Sequence, residues 1–243
     1  TGTGKTVLAL EIMACKYNKN HQKFLVICPK PIIKTAWIND QREFYPRMKL
    51  LPLSKNINLD DLKWFNNRWN SIDRESIFHD KLYYDDWEFG KSKQEQYQYL
   101  QAILIGKAEH YIVNGETFIR EFGSFTKLGI TGLIVDESAV LKNYDSKLSQ
   151  KVREFIKNCK NVYLLSGKPA PNTSCEYFSQ MKIVDPETFS MSYKSFRTQY
   201  YYNENGKFRL KPYLQKELFE KIAKRSIIVS KSECIDLPDT GHV

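Results

Sequence analysis

Leu133-Ile134-Val135-Asp136-Glu137 places two adjacent carboxylates at the end of a short apolar run that begins after Gly132. A run of this length and composition reads as a buried strand of a parallel sheet. In open α/β folds, ligands bind outside the carboxyl ends of the strands, which is where Asp136 and Glu137 would stand. Taken alone, the acidic pair equally fits the start of a helix. What separates the two readings lies about 130 positions upstream. Thr1-Gly2-Thr3-Gly4-Lys5-Thr6 runs directly into the helix-forming stretch Val7-Leu8-Ala9-Leu10-Glu11-Ile12. The phosphate-loop pattern G-x-x-x-x-G-K-[ST] puts its first glycine two residues before Thr1. The sequence is therefore expected to be a fragment, preceded by at least one strand.

The two strings make one chemistry. Glycines let backbone N–H groups turn inward around phosphate oxygens where a helix begins and its dipole favours an anion. Thr1, Gly2, Thr3, Gly4, Lys5 and Thr6 are the candidate nucleotide cradle, with Lys5 reaching the outer phosphates of ATP. The Thr6 hydroxyl and the Asp136 carboxylate are candidate Mg²⁺ ligands, and Glu137 the group that orients the attacking water. Lys5, Asp136 and Glu137 form the expected catalytic set.

Between the two strings, strands alternate with helices. Lys23–Cys28 is a β-branched run ending at Pro29, and Pro31 suits the first turn of a helix carrying Ile32, Ile33, Ala36 and Trp37. Further strands are expected over Met48–Leu53, Ala108–Val113 and Val162–Leu165, and further helices from Glu116, over Lys147–Lys157 and over Cys175–Lys182. This alternation predicts a parallel sheet with helices on both faces. Beyond Asp185-Pro186 the pattern changes. Phe196–Tyr202 has helical spacing, Asn205-Gly206 signals a hairpin turn between Tyr201 and Phe208, Tyr213–Lys224 reads as a helix and Ser226–Val229 as a short strand.

The chain has 243 residues, with 42% hydrophobic and 27% charged, which suits a globular protein and gives no run long enough to span a bilayer. A net charge of +9 favours a polyanionic partner. Residues 54–100 run against that trend, with seven basic and nine acidic side chains, ten aromatics, and Trp64, Trp69, Trp87, Tyr83 and Tyr84 among them. They are expected to form an insertion with helices of its own, its aromatics serving as a small core rather than a stacking platform for bases. Cys15, Cys28, Cys159, Cys175 and Cys234 are an odd, scattered set, which argues against disulfides or a zinc site and for a reducing compartment. His21, His79, His110 and His242 form no ligand pattern.

Asp136-Glu137-Ser138-Ala139 with Lys142-Asn143 resembles the D-E-A-H…K-N signature of Swi/Snf-type DNA translocases of helicase superfamily two. Ser166-Gly167-Lys168-Pro169-Ala170-Pro171-Asn172 is similar to their motif III, Cys28-Pro29-Lys30 through Trp37 to motif Ia, and Val113-Asn114-Gly115-Glu116 to motif Ib. Tyr177-Phe178, Val184 through Phe189, and Arg225 to Lys231 with Leu237-Pro238 resemble blocks that close the family's first lobe. Ala139, Lys168 and Gly115 depart from the pattern, and Ala139 puts in doubt any coupling contact made by the histidine it replaces.

The resemblance implies a P-loop, RecA-like ATP-binding lobe over 1–184, with the insertion at about 54–100, and a small α/β C-terminal extension over 185–243 that leads to a second RecA-like lobe absent from this chain. It implies an ATP- and Mg²⁺-dependent motor on double-stranded DNA. Lys30, Lys34, Thr35, Asn114, Lys142 and Asn143 become candidate DNA-backbone contacts, and Ser166 and Gly167 couple the nucleotide site to DNA. The cytoplasm of a bacterial or phage-infected cell is the expected setting, with the nucleus as the alternative. Two other functions stay open: another superfamily-two motor, such as an RNA helicase or restriction-enzyme subunit, and a degenerate lobe kept for protein binding.

Overall fold

A computed structural model describes residues 4–53, 57–75 and 92–228. Thr1, Gly2, Thr3, His79, Tyr83, Tyr84, Trp87, Val229, Cys234, Leu237, Pro238 and His242 lie outside the described residues. In chain order the elements are α1 (Lys5–Asn20), β1 (Lys23–Ile27), a π-helical turn (Ile33–Ile38) running into α2 (Asn39–Phe44), β2 (Leu50–Pro52), α3 (Leu59–Glu75), α4 (Lys93–Lys107) and β3 (His110–Val113). They continue with α5 (Gly115–Arg120), α6 (Phe122–Phe125), β4 (Ile130–Asp136), α7 (Lys147–Phe155), β5 (Asn161–Leu165), α8 (Tyr177–Val184), α9 (Tyr193–Tyr200), β6 (Tyr201–Glu204), β7 (Lys207–Leu210) and α10 (Gln215–Ala223). Two compact units divide the chain, one holding residues 4–9 and 131–228, the other residues 10–130.

In the unit of residues 10–130, β3 lies between β1 and β2 and is parallel to both, with Ile27 beside Val113 and Leu50 beside His110. Phe24, Leu25, Val26, Tyr111, Ile112 and Val113 are buried almost completely, as strands covered on both faces require. The helix expected after Pro31 opens instead as a π turn. Its wider turn, closed by i→i+5 hydrogen bonds, lets Ile33 and Ile38, five residues apart, share a buried face with Trp37. The insertion forms α3 and most of α4, and these two helices pack on each other. Phe65 and Trp69 are buried with their rings edge to face, so of the described aromatics these two behave as core. Trp64 is partly exposed, with the Arg42 guanidinium 3.8 Å from its ring centroid.

In the other unit β4 and β5 run parallel, Asp136 pairing with Leu165. The two strands are covered unequally: β4 is buried along nearly all its length, whereas every residue of β5 is half-buried. An aromatic cluster packs α8, α9 and α10 together, and Phe178 stands in it beside Tyr144, Phe189, Tyr193 and Phe196 at ring distances of 4.9–6.2 Å. Asn205 (φ 49°) and Gly206 (φ 77°) make the turn between β6 and β7. Two consecutive positive φ angles define a type I′ turn, which only small or Asn-like residues accept readily.

Two expected elements differ. The helix expected over Phe196–Tyr202 ends at Tyr200, because Tyr201 and Tyr202 pair with Leu210 and Arg209 in the hairpin. No strand forms over Ser226–Ile228. Ile227 and Ile228 are exposed, and β-branched residues hold a strand only when a neighbour packs against them.

Candidate functional site

Gly4 opens α1 with φ +67° and accepts the Leu8 N–H at 2.9 Å through its carbonyl. A side chain at that φ would be strained, so glycine is what allows the chain to turn into the helix there. Lys5 and Thr6 occupy the first turn, half-buried. That turn carries no acidic side chain, so the positive end of the helix dipole is not cancelled from within the helix. The remaining cradle residues, Thr1 to Thr3, lie outside the described residues.

Lys5, Thr6, Asp136, Glu137, Lys142, Asn143, Ser166 and Gly167 all fall in the unit of residues 4–9 and 131–228. Asp136 is buried at the last position of β4, and its Oδ1 accepts the Glu137 N–H at 2.9 Å. Glu137 follows with φ 53° and ψ 56°, a left-handed conformation that costs a non-glycine residue about 1–3 kcal/mol. The chain bends at once after the strand, and Glu137 is half-buried. Ser138–Leu141 then forms a 3-10 turn. Because Asp136 and Leu165 are register partners, Ser166 and Gly167 leave β5 at the same edge. The Ser166 hydroxyl accepts the Lys168 N–H at 3.2 Å.

Two polar residues, one in α8 and one in the 3-10 turn Ser174–Glu176 that leads into it, reach both loops. Gln180, nearly fully buried, accepts from Ser138 Oγ at 2.8 Å and donates to the Pro169 carbonyl at 2.6 Å. Glu176, one turn earlier, accepts from Asn172 Nδ2 at 2.7 Å and stands 4.0 Å from Lys142 Nζ. Sequence reasoning missed both. The available signal is a glutamine set between the apolar pairs Tyr177-Phe178 and Ile183-Val184 and directly before Met181. Asn143 turns its side chain back on its own loop, its Oδ1 accepting the Asp145 N–H at 3.0 Å.

Lys30, Lys34, Thr35 and Asn114 belong to the other unit, on the segments that leave β1 and β3 at one edge, where the Cys28 N–H donates to the Val113 carbonyl at 3.0 Å. Lys30 is exposed. Lys34 is paired with Asp61 of α3 at 2.9 Å, and the Thr35 hydroxyl donates to the Pro31 carbonyl at 3.0 Å. Asn114 is buried and caps α5, its Oδ1 accepting the Thr117 N–H at 2.8 Å.

Among the described residues no group of three or more His, Cys, Asp or Glu side chains could hold a metal by itself. Mg²⁺ is held by one or two oxygen side chains together with substrate phosphates rather than by an all-protein cage. Thr6 and Asp136 are hard oxygen donors of the required kind. No disulfide joins cysteines of the described residues.

A parallel α/β arrangement with a Gly-Lys-Thr helix start, and with an acidic pair at the end of a strand of the same unit, fits the RecA-like class of folds. Residues 1–233 match the SNF2-related domain, and the chain belongs to that family. It is 32% identical over 99 residues to the ISWI chromatin-remodeling complex ATPase ISW1 of Saccharomyces cerevisiae, covering 40% of this chain and 9% of that protein. It is 24% identical over 192 residues to the chromatin-remodeling ATPase INO80 of the same yeast, covering 77% of this chain and 11% of that one. The chain therefore spans only about a tenth of the length of these curated relatives. The solved Sulfolobus solfataricus SWI2/SNF2 ATPase core in complex with double-stranded DNA shares the fold, with a TM-score of 0.56 at 16% identity over 82% of this chain and 33% of that one.

Proposed function

We propose that this chain is the ATP-binding lobe of a double-stranded-DNA-dependent ATPase that moves along its substrate. The observation that carries the reading is the presence of Lys5, Thr6, Asp136 and Glu137 in one compact unit of a chain that matches the SNF2-related domain over residues 1–233. Bound MgATP supplies the anhydride whose hydrolysis drives movement. Lys5 balances the charge of the outer phosphates from the head of α1, Thr6 and Asp136 hold the metal, and Glu137 orients a water and takes its proton. Ser166 and Gly167 relay the state of that site toward DNA. Lys30, Lys34 and Thr35 contact backbone phosphates, with Lys142 and Asn143 as further contacts, while Asn114 shapes its loop as a helix cap. Contacts of this kind read no sequence, so binding is non-specific and weakens with salt.

On this reading residues 1–184 form the lobe and 185–243 a family extension, and a second RecA-like lobe supplies the remaining catalytic groups. A trans-acting arginine is worth about 10³–10⁵ in rate in related nucleotide hydrolases, so the chain by itself turns over ATP very slowly. Among the described residues no helix is long and apolar enough to cross a membrane. The place of action is a compartment holding duplex DNA.

The deciding measurement is ATP hydrolysis by the complete protein with duplex DNA, single-stranded DNA or RNA. Duplex DNA should stimulate most, and Lys5→Ala and Glu137→Gln should each lower the stimulated rate at least about a hundredfold. Stimulation by RNA alone would replace this reading with an RNA motor. Unchanged nucleotide affinity in Lys5→Ala would point to a lobe kept for protein binding.

A further inference from the structure

Ser138 stands one residue beyond the acidic pair and Pro169 lies in the loop that holds Ser166 and Gly167; Gln180 joins them with the two ends of a single carboxamide. Two of these three residues are shielded from water, Ser138 at 1% and Gln180 at 4% exposure, and Pro169 is half-buried. Packing does not call for them. Burying a hydroxyl and an amide costs desolvation that an alanine and an apolar side chain would avoid, and the pair is tolerable only because each group finds a directional partner. What the polar version adds is geometry: Ser138 cannot shift without pulling on the carbonyl of Pro169.

The helix that carries the amide is held firmly. Phe178, on the opposite face of α8, is locked into the aromatic cluster between Tyr144, Phe189, Tyr193 and Phe196. One turn before Gln180, Glu176 makes a parallel link on the outer side, accepting both the Asn172 side-chain N–H at 2.7 Å and its backbone N–H at 3.2 Å while facing Lys142. α8 and the turn that leads into it thus hold both loops, once in the interior through Gln180 and once at the surface through Glu176. Residue 139, where the family resemblance expects a histidine, is alanine and brings no polar group to this link.

We infer that Gln180 is a positioning residue that transmits the state of the Asp136-Glu137 loop to the Ser166–Asn172 loop, with Ser138 and Pro169 as its two contacts. The inference rests on the ATPase reading above and names how its two loops move together. Gln180 touches no reacting atom, so removing the link should spare nucleotide binding and the unstimulated reaction while uncoupling the response to DNA.

The test is the double variant Ser138→Ala with Gln180→Met in the complete protein, which removes both side-chain partners at nearly constant volume and leaves only the carbonyl of the half-buried Pro169 to find water instead. The thermal midpoint should stay within about 4 °C of the parent, and the KM for ATP and the DNA-free rate within about twofold. The duplex-stimulated kcat should fall about tenfold or more, since catalysis is sensitive to displacements of an ångström. Gln180→Glu keeps an acceptor for Ser138 but turns a second acceptor toward Pro169, and it should be uncoupled as well. Stimulation within about twofold of the parent in the double variant would overturn the inference while leaving the ATPase reading standing. Equal loss of the DNA-free and stimulated rates together with a lowered thermal midpoint would also overturn it, in favour of a purely structural role. If the parent protein itself shows no response to duplex DNA, both readings fall together.

Discussion

At the ends of β4 and β5, side chains reach from one loop to the next through α8, and the two that do most of it, Ser138 and Gln180, are buried. At the ends of β1 and β3 each loop is closed on itself. Asn114 caps the helix that follows it, and the Thr35 hydroxyl returns to Pro31. Lys34 leaves its loop only to pair with Asp61, with over half of its side chain exposed. The physical contrast is one of exchangeability. A buried, fully paired polar link holds one geometry, because breaking it strands a desolvated group at about 1–3 kcal/mol. An exposed ion pair is worth about 0.2–1 kcal/mol and can trade its partner for a phosphate at little cost. Loops proposed to sense nucleotide are interlocked, and Lys34, proposed to meet DNA from the segment after β1, is held by a contact that can be swapped.

The contrast is broken most severely by removing what braces α8. Phe178→Ala empties the centre of the aromatic cluster and should cost about 3–5 kcal/mol, read as a lowered denaturation midpoint. Trp69→Ala, in the insertion, should cost a comparable amount. The two should part in function: in folded protein at low temperature, Phe178→Ala should lower the ratio of duplex-stimulated to DNA-free ATPase and Trp69→Ala should not. Equal effects on that ratio would mean that the link through α8 has no special standing.

A second difference concerns pH. His110 lies inside the unit of residues 10–130, where its Nδ1 accepts the Phe24 N–H at 3.1 Å. Burial first, and the charge of Lys23 second, lower its pKa from 6.5 to about 3. In the unfolded chain this histidine takes up a proton as pH falls below 6.5, whereas in the folded chain it stays neutral until about pH 3. Its neutral state therefore favours folding above that window, and the advantage is lost as pH falls through it, by about 1.4 kcal/mol per pH unit. Denaturant unfolding should show this slope from about pH 6 downward and none from it above pH 7, and His110→Asn, which keeps an acceptor for Phe24, should flatten the slope by about one proton. An unchanged slope would assign the pH dependence to other groups.

How much of this was legible beforehand depended on whether a feature is local. The Asp136-Glu137 strand end, the glycine-rich opening of α1 and the Asn205-Gly206 turn are each written in a few consecutive residues whose backbone demands are specific, and the strand–helix alternation followed from short apolar runs between breakers. Features set by tertiary partners were not legible. Gln180 and Glu176 look like ordinary helix polar residues until the two loops are placed beside them, and His110 resembles any dispersed histidine until burial strips its charge. Ser226–Ile228 has the composition of a strand but pairs with no strand among the described residues, and Tyr201 and Tyr202 continue a helical pattern that hairpin pairing overrides. Lys34 shows the same limit from the other side: its position in the motif was readable, its pairing with Asp61 of the insertion was not.

That pairing gives the smallest and most discriminating test. Asp61 sits at the start of α3, where its N–H donates to Asn58 Oδ1 at 2.8 Å and its Oδ2 accepts the Asn58 N–H at 3.2 Å. Asp61→Asn keeps an oxygen for that local bond but removes the charge that holds Lys34. Folding stability should change by less than about 1 kcal/mol, as for other exposed pairs. If Lys34 meets a backbone phosphate, its release should tighten binding of the complete protein to duplex DNA at low salt and steepen the dependence of log K on log salt by up to about 0.9. The gain should vanish in the double variant Asp61→Asn with Lys34→Ala. Tighter binding that survives in the double variant would mean that Asp61 acts only as a general negative charge. Weaker binding would mean that the pair itself, by fixing the segment after β1, is what presents Lys30 and Thr35, and the exchangeable character argued for that edge would then be wrong.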